Sequence, residues 1–325
     1  MTTPIHPRDA MLDERLTEQR NPRSSSVDRM LPEEIVALIN REDRVVPEAV
    51  ARESPQIARA VELVVDTFRS GGRLFYVGAG TSGRLGVLDA AEMPPTYGTD
   101  PSMVQGVIAG GYEALVRAQE GAEDHPEDGA LAMDERGVSR SDFVLGIATS
   151  GTTPFVHGAL GRARDLGART GFLLCTPPPE ALLRTHDVVI APLVGPEVIT
   201  GSTRMKAGTA TKLVLNTITT TAMILMGKVD GNLMVDLQVT CQKLQDRGER
   251  ILMTTLGIPR EDARGLLAQS EGHVKTAIVM GRTGLPRRDA LDALDRVGGR
   301  LSDLTAKGFP ADPVSPGRPS EEAPS

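Results

Sequence analysis

Residues 73–84 read RLFYVGAGTSGR, a short apolar strand that runs directly into a glycine-rich loop and then into a helix. Four further apolar segments follow at 103–108, 141–147, 170–174 and 187–191, and helical periodicity occupies most of the stretches between them. Strands that alternate with helices at this spacing are typical of a parallel sheet covered on both faces. We therefore predict an α/β fold with a doubly wound parallel five-stranded sheet flanked by helices. Ligands of such sheets bind at the carboxyl ends of the strands.

The sequence predicts four segments along the chain, and the second of them contains the sheet. Residues 1–26 are polar and broken by three prolines, which predicts a flexible N-terminal arm. Residues 27–255 contain the sheet with its flanking helices, the last of them predicted at Asn232–Thr255. A small domain of three short helices is predicted at 256–308, and a tail at 309–325 is expected to be disordered because it holds five prolines.

The composition of the 325 residues excludes several classes of function. Acidic residues outnumber basic ones by 43 to 36, and the resulting net charge of −7 repels nucleic acids and anionic membranes. Two cysteines are too few for a disulfide framework, and no stretch resembles a signal peptide or a membrane span. With no Trp, three Tyr and six Phe, a sugar site built on stacked aromatic rings is not expected. We expect a cytoplasmic protein that holds any carbohydrate ligand with polar groups.

The loop after the first strand has the features of a phosphate site. Its spacing Gly78-x-Gly80-x-x-Gly83 matches a dinucleotide fingerprint, but no acidic residue closes the second strand, where a ribose partner would be expected. The loop instead offers the hydroxyls of Thr81 and Ser82 together with free backbone N–H groups at a helix start, which suits a terminal phosphate. The alternative is a tight turn in which Ser82 serves only as the helix N-cap.

A second loop at 148–154 repeats this arrangement after the strand at 141–147. It contains Ser150, Gly151, Thr152 and Thr153, with Thr153 in position to cap the helix that begins at Pro154. Two hydroxyl-bearing loops at two strand ends predict converging donors for one anion. No P-loop lysine and no metal-ligand cluster accompanies them, so no metal is expected.

Two glutamates have positions suited to acid–base work. Glu92 lies at the end of the helix that starts at Ser82, where the negative end of the helix dipole disfavours a carboxylate and favours a proton donor. Glu123 lies in a glycine-broken turn, Glu120-Gly-Ala-Glu-Asp124. Taken alone, each is also explained as a solvated surface carboxylate or a helix cap.

Four long runs of the sequence occur in a specific order: GGRLFYVGAGTSGRLGVLDAAEMPPTYG at 71–98, EGAED at 120–124, GPEVITGSTRMKAGTATKLVLN at 195–216 and GNLMVDLQVTCQKLQDR at 231–247. Together these runs resemble the N-acetylmuramic acid 6-phosphate etherases, which are built on the sugar isomerase (SIS) fold. The resemblance extends from about Thr17 to Lys307. It implies cleavage of the lactyl ether of a sugar phosphate to N-acetylglucosamine 6-phosphate and D-lactate, without a metal or organic cofactor, in a homodimer.

The resemblance also assigns roles to individual residues. It implies that Glu92 of the DAAEMPP run is the proton donor and that Glu123 of the EGAED run is the second catalytic acid or base. The phosphate contacts it implies are in the two loops: Thr81, Ser82, Ser150, Gly151, Thr152 and Thr153. Thr152 departs from the family pattern, which commonly has Arg at this position.

The spacing of these residues raises a geometric question. An unbroken helix from Ser82 to Glu92 would separate the phosphate loop from the proton donor by about 15 Å, which is longer than a hexose phosphate. We therefore expect either a kink near Gly86 or a site completed by Glu92 of a second subunit.

Two other functions are compatible with the same resemblance. A non-catalytic regulatory protein is the first, because the glucokinase regulatory protein binds sugar phosphates on the same SIS fold. A sugar-phosphate isomerase, which would release no lactate, is the second. The presence of both Glu92 and Glu123 favours the etherase.

Overall fold

The computed structural model describes residues 15–237, 239 and 241–306. The predicted tail, 309–325, and residues 1–14 of the predicted arm lie outside the described residues. The strands are β1 (Leu74–Gly78), β2 (Val104–Ile108), β3 (Phe143–Ile147), β4 (Arg169–Leu173), β5 (Val188–Ile190), β6 (Val229–Asp230) and β7 (Leu233–Met234). The helices are α1 (Pro32–Asp43), α2 (Val45–Arg52), α3 (Ser54–Arg69), α4 (Gly80–Tyr97), α5 (Glu113–Val116), α6 (Pro126–Glu135), α7 (Pro154–Asp165), α8 (Glu180–Thr185), α9 (Lys206–Leu225), α10 (Gln242–Leu256), α11 (Arg260–Gln269), α12 (Val274–Thr283), α13 (Arg287–Arg296) and α14 (Leu301–Ala306).

The chain divides into two compact units. The first comprises the residues up to Pro94 together with Thr99–Ala222, and the second comprises Pro95–Gly98 together with the residues from Met223 onward. The predicted boundary between residues 255 and 256 therefore lies inside the second unit. No helix in the described part of the chain is long and apolar enough to cross a membrane.

The first unit contains a five-stranded parallel sheet in the order β2-β1-β3-β4-β5. The sheet and its parallel sense confirm the predicted fold class, and each strand lies within two residues of its predicted bounds. β1 and β3 are buried along their whole lengths, as expected for strands covered on both faces. In the register of the sheet, Gly78 pairs with Ile108 and Ile147, so β1, β2 and β3 end together at one edge.

Side chains of β1 alternate between two helical layers. Phe75 and Val77 join a buried cluster with Phe155 and Val156 of α7. Tyr76 points the other way, because successive side chains of a strand face opposite sides of the sheet. Its hydroxyl donates to Asp89 of α4 at 3.0 Å. These contacts place α7 on one face of the sheet and α4 on the other, which confirms the doubly wound arrangement.

Helices α6 and α7 approach each other at glycines. A Cβ built on Gly158 of α7 would lie 1.8 Å from the carbonyl oxygen of Pro126, and a Cβ on Gly129 of α6 would lie 2.0 Å from the carbonyl oxygen of Phe155. Because both obstacles are backbone atoms, a side chain at either position would force the two helices apart.

We expect Gly158→Ala to lower the free energy of unfolding by about 3 kcal/mol, since the added methyl group overpacks a helix–helix contact. Gly161→Ala is the matched control in the same helix, because nothing lies within 4 Å of a Cβ built there. That control should be neutral or stabilising by up to about 1 kcal/mol, as Ala is the better helix former. Urea denaturation measures both, and equal midpoints for the two variants would contradict the close contact.

The N-terminal residues that the structure describes differ from the predicted flexible arm. Residues 15–29 form three short 3₁₀ turns, Leu16–Glu18, Pro22–Ser24 and Val27–Arg29. Thr17, Asn21 and Ser24 are buried even though they are polar. Asn21 donates to Glu42 and to the carbonyl oxygen of Pro196, and Ser24 donates to the carbonyl oxygen of Val198. The local sequence pattern does not reveal these distant contacts.

The second unit is helical apart from a two-stranded antiparallel hairpin, β6–β7. This hairpin occupies the start of the helix predicted at Asn232–Thr255, which was therefore wrong in its N-terminal part, since α10 begins only at Gln242. Four helices rather than three follow α10 in the described residues. Gly257 and Gly284 end α10 and α12 in the left-handed conformation that glycine adopts most readily. Buried aliphatic side chains of α10–α14 form the core of this unit.

Candidate functional site

A cavity of about 500 Å³ opens in the first unit at the carboxyl ends of β1 and β3. Its volume lies in the range of small-molecule sites, roughly 300–1,000 Å³. The wall includes the start of α4, the β3–α7 loop, a turn that precedes α6, and the first described turn of the chain. The position agrees with the general rule that ligands of open α/β sheets bind beyond the carboxyl ends of the strands.

The β1–α4 loop forms one side of the cavity with Thr81 and Ser82. α4 begins at Gly80, so Ser82 lies inside the first turn and is not the N-cap that the alternative interpretation assumed. The turn requires glycine at Gly83, because a Cβ there would lie 2.7 Å from the carbonyl oxygen of Gly78 and 2.6 Å from the side chain of Ile108. The first N–H groups of α4 have no acceptor within the helix and can donate hydrogen bonds to an anion.

The β3–α7 loop forms the opposite side with Ser150, Thr152 and Thr153. The hydroxyls of Ser150 and Thr152 lie 3.0 Å apart. Thr153 occupies the N-cap position of α7, as predicted, but its side chain makes no capping hydrogen bond. Gly151 is not part of the wall. Its φ of +78° shapes the loop, and its carbonyl oxygen lies 2.8 Å from Nε2 of His157.

Glu123 also lines the cavity, on a 3₁₀ turn at Ala122–Asp124 that follows the left-handed Gly121. The same glutamate lines a smaller neighbouring cavity of about 170 Å³, whose wall also includes Arg84. Glu123 therefore borders both cavities. A carboxyl group on the wall of a cavity can exchange a proton with a ligand bound in that cavity.

Glu92 lies elsewhere. It is exposed on α4, ten residues beyond Ser82, and it is not part of the cavity wall. α4 is continuous from Gly80 to Tyr97, and no break occurs at Gly86, which packs closely on Tyr76. Of the predicted site residues, the structure brings together Thr81, Ser82, Glu123, Ser150, Thr152 and Thr153.

Sequence reasoning missed several residues of the wall. Arg15 and Glu18 come from the segment that was predicted to be a flexible arm, while Asp124 and Thr203 lie beside or within quoted motifs without having been assigned a role. The resemblance reached Thr17, and that start was the one signal that the N-terminal residues belong to the folded unit.

The N-terminal segment is anchored by a buried carboxylate. Glu42 accepts hydrogen bonds from Asn21 at 2.7 Å, from Arg23, and from Nζ of Lys206 at 3.0 Å. The side chains of Glu42 and Lys206 are each 1% exposed. The hydrogen bond from Arg23 is the main cause that lowers the pKa of Glu42 to about 2, so this carboxylate remains ionised at neutral pH.

Two further buried carboxyl groups position helices of the first unit. Glu197 caps α9, since its oxygens accept from the backbone N–H groups of Lys206 and Ala207 at 3.0 and 2.9 Å. Asp89 of α4 accepts from Asn216 of α9 at 2.6 Å. Burial raises the pKa of both carboxyl groups against the opposing effect of their hydrogen bonds. Within the described residues, no group of three or more His, Cys, Asp or Glu side chains is arranged to hold a metal ion.

Comparison with known proteins finds similarity to a protein family, to individual proteins and to solved structures. The family described as the glucokinase regulatory protein N-terminal SIS domain matches residues 56–164. An N-acetylmuramic acid 6-phosphate etherase from Salinibacter ruber is 57% identical over 77% of this chain and 81% of its own length. One from Rhodopirellula baltica is 53% identical over 79% of this chain and 85% of its own. Among solved structures, a phosphoheptose isomerase from Neisseria gonorrhoeae is 19% identical with a TM-score of 0.46, covering 59% of this chain and 99% of that one.

Proposed function

Because the chain belongs to the N-acetylmuramic acid 6-phosphate etherase family, we propose that it cleaves the D-lactyl ether of N-acetylmuramic acid 6-phosphate. The products are N-acetylglucosamine 6-phosphate and D-lactate, in the recycling of cell-wall amino sugars. The observation that carries this proposal is the cavity on whose wall two hydroxyl-bearing loops and Glu123 meet.

The phosphate is assigned to the two loops. Hydroxyl-bearing residues at the starts of α4 and α7 line the space where it would bind: Thr81, Ser82, Ser150, Thr152 and Thr153. The positive ends of both helix dipoles favour an anion there. Gly151 contributes through the shape of its loop.

The reaction follows from the acidity that an aldehyde confers on its neighbouring carbon. Once the sugar ring has opened, a base removes the proton from C2, and an acid protonates the lactyl oxygen as its bond to C3 breaks. Water then adds to C3 of the unsaturated aldehyde and C2 is reprotonated, so the net reaction consumes one water molecule. General acid–base help of this kind contributes about 10²–10⁴-fold per group.

The two carboxyl groups are assigned to the two proton transfers. Glu123, on the cavity wall, is the base at C2. Glu92 is the acid that protonates the departing lactate. Because α4 is unbroken and Glu92 is exposed about 15 Å from Ser82 along the helix, we assign Glu92 to the site of a second subunit in a homodimer.

Mixing two inactive variants tests this sharing. Ser150→Asp places a negative charge in the phosphate loops of one subunit, and Glu92→Gln removes the acid of the other. If Glu92 acts across the dimer, random mixing gives one complete site in each heterodimer and restores about a quarter of wild-type activity. Mixed subunits with no recovered activity would contradict the shared site.

The regulatory-protein alternative is not favoured. The regulatory-protein domain matches only residues 56–164, whereas the etherases match more than three quarters of the chain. A cytoplasmic location remains part of the proposal. It is supported by two free cysteines, one of them buried, since proteins of oxidising compartments commonly pair theirs.

The direct test is to incubate the protein with N-acetylmuramic acid 6-phosphate and to measure D-lactate. We expect stoichiometric release of lactate and N-acetylglucosamine 6-phosphate, with one oxygen from labelled water at C3. The unphosphorylated sugar is the matched control and should react far more slowly, because the loops then bind no anion. Binding of the phosphorylated sugar without lactate release would instead support the regulatory alternative.

A further inference from the structure

The first described turn of the chain contributes the basic side chain of the cavity. Among the described residues that form its wall, Arg15 is the single Lys or Arg, whereas Glu18, Glu123 and Asp124 are acidic. A phosphate placed among three carboxylates is repelled by each of them. The loops alone offer only neutral hydroxyls and N–H groups to offset this repulsion.

Arg15 lies directly beside the β3–α7 loop. Its Nη1 is 3.4 Å from Oγ1 of Thr152, and the Thr152 hydroxyl in turn lies 3.0 Å from that of Ser150. The guanidinium therefore borders the same group of hydroxyls to which the phosphate is assigned. Thr152 is short enough to leave room for this guanidinium.

The backbone next to Arg15 is hydrogen-bonded to two other segments of the first unit. The N–H of Leu16 donates to Oγ1 of Thr176 at 3.2 Å, and the carbonyl oxygen of Thr17 accepts from the N–H of Gly201 at 3.2 Å. Further along, Ser24 donates to the carbonyl oxygen of Val198 at 2.6 Å. These hydrogen bonds fix the position of the segment, and the fold thereby holds Arg15 at the cavity.

We propose that Arg15 is a phosphate-binding residue of this site, and that the N-terminal segment is thereby a functional part of it. The proposal rests on the proposed function for the identity of the ligand, a sugar 6-phosphate. A guanidinium binds phosphate oxygens through charge-assisted and often bidentate hydrogen bonds, which neutral hydroxyls cannot replace. Arg15 thus offsets the carboxylates on the wall and supplies positive charge that is absent at position 152.

Arg15→Gln tests the proposal because it removes the charge and keeps a polar side chain. We expect KM for the sugar phosphate to rise about 10–100-fold, as for the loss of one charge-assisted hydrogen bond, with kcat changed less than about threefold. Arg20→Gln is the matched control, since Arg20 is exposed in the same segment and is not part of the cavity wall. It should leave KM unchanged.

Moving the charge gives a second, independent readout. In the double variant Arg15→Gln/Thr152→Arg, a guanidinium returns to the same cavity from the neighbouring loop, and KM should recover at least tenfold relative to Arg15→Gln. An unchanged KM in Arg15→Gln would overturn the proposal. So would a fall in kcat and Tm at constant KM, because that result would make Arg15 a structural residue.

Calorimetric titration with inorganic phosphate separates this proposal from the proposed function. Wild-type protein should bind phosphate about 10-fold or more tightly than Arg15→Gln, whether or not lactate is released. Equal phosphate affinity of the two proteins would overturn the role of Arg15 even in an active etherase. Absence of lactate release with a preserved difference in phosphate affinity would overturn only the reaction.

Discussion

Replacement of Glu123 by Gln is expected to lower kcat for lactate release by about 10²–10⁴-fold with little change in KM. The amide is similar in size to the carboxylate but cannot accept the C2 proton. Because Glu123 is exposed on a short turn, its replacement should leave the fold intact. Glu127→Gln is the control, since Glu127 is an exposed carboxylate of the adjacent helix α6 that lines neither cavity.

Isotope exchange distinguishes the two proposed carboxyl roles. In D₂O, the product made by the wild-type protein should carry deuterium at C2. Glu92→Gln should still exchange the C2 proton of the substrate while releasing little lactate, because only protonation of the leaving group is impaired. Glu123→Gln should lose both. Exchange at the wild-type rate in Glu123→Gln would show that another group is the base.

Replacement of Glu42 by Ala is expected to lower the free energy of unfolding by about 3–5 kcal/mol. It would leave the ammonium group of Lys206 at 1% exposure without its counter-ion, and it would also release Asn21 and Arg23. Urea denaturation measures the loss. Glu62→Ala is the control, because Glu62 belongs to an exposed ion pair with Arg59 that should contribute less than about 1 kcal/mol.

The double variant Glu42→Ala/Lys206→Met tests the cause of this destabilisation. Without a buried charge to leave unpaired, it should be more stable than Glu42→Ala alone. If both variants unfold at the same urea concentration, packing and the anchoring of the N-terminal segment account for the whole loss.

The carboxylate of Glu42 makes the free energy of unfolding depend on pH in the acid range. The pKa of Glu42 is lowered from its ordinary 4.5 to about 2, so its contribution is complete above pH 4.5 and is lost as the pH falls toward 2. The shift corresponds to up to about 3 kcal/mol of stability. In Glu42→Ala, the unfolding free energy should therefore depend less steeply on pH between about 4.5 and 2 than in the wild type.

The structure differs from the sequence-based predictions in two segments, residues 15–26 and the start of the helix predicted at Asn232. The polar, proline-broken residues 15–26 predicted a flexible arm, yet their polar groups bind Glu42, Thr176 and Gly201, which are far along the chain. The helix predicted from Asn232 was wrong for a local reason, because Asp230-Gly231 is a hairpin turn signal and β6 and β7 pair across it. The contacts of residues 15–26, by contrast, depend on residues that the local pattern does not contain.

A role for Glu123 came from the family resemblance. The sequence by itself determined the parallel sheet and the two hydroxyl-bearing loops. These features are local, because apolar strands, glycine-requiring turns and helix starts each depend on a few neighbouring residues. Only the tertiary structure decided that Arg15 and Glu18 enter the cavity and that Glu92 lies outside it, on an unbroken α4. The physical reason is that these positions result from contacts between segments far apart in the chain, such as that of Arg15 with Thr152, and from the rigid length of a helix.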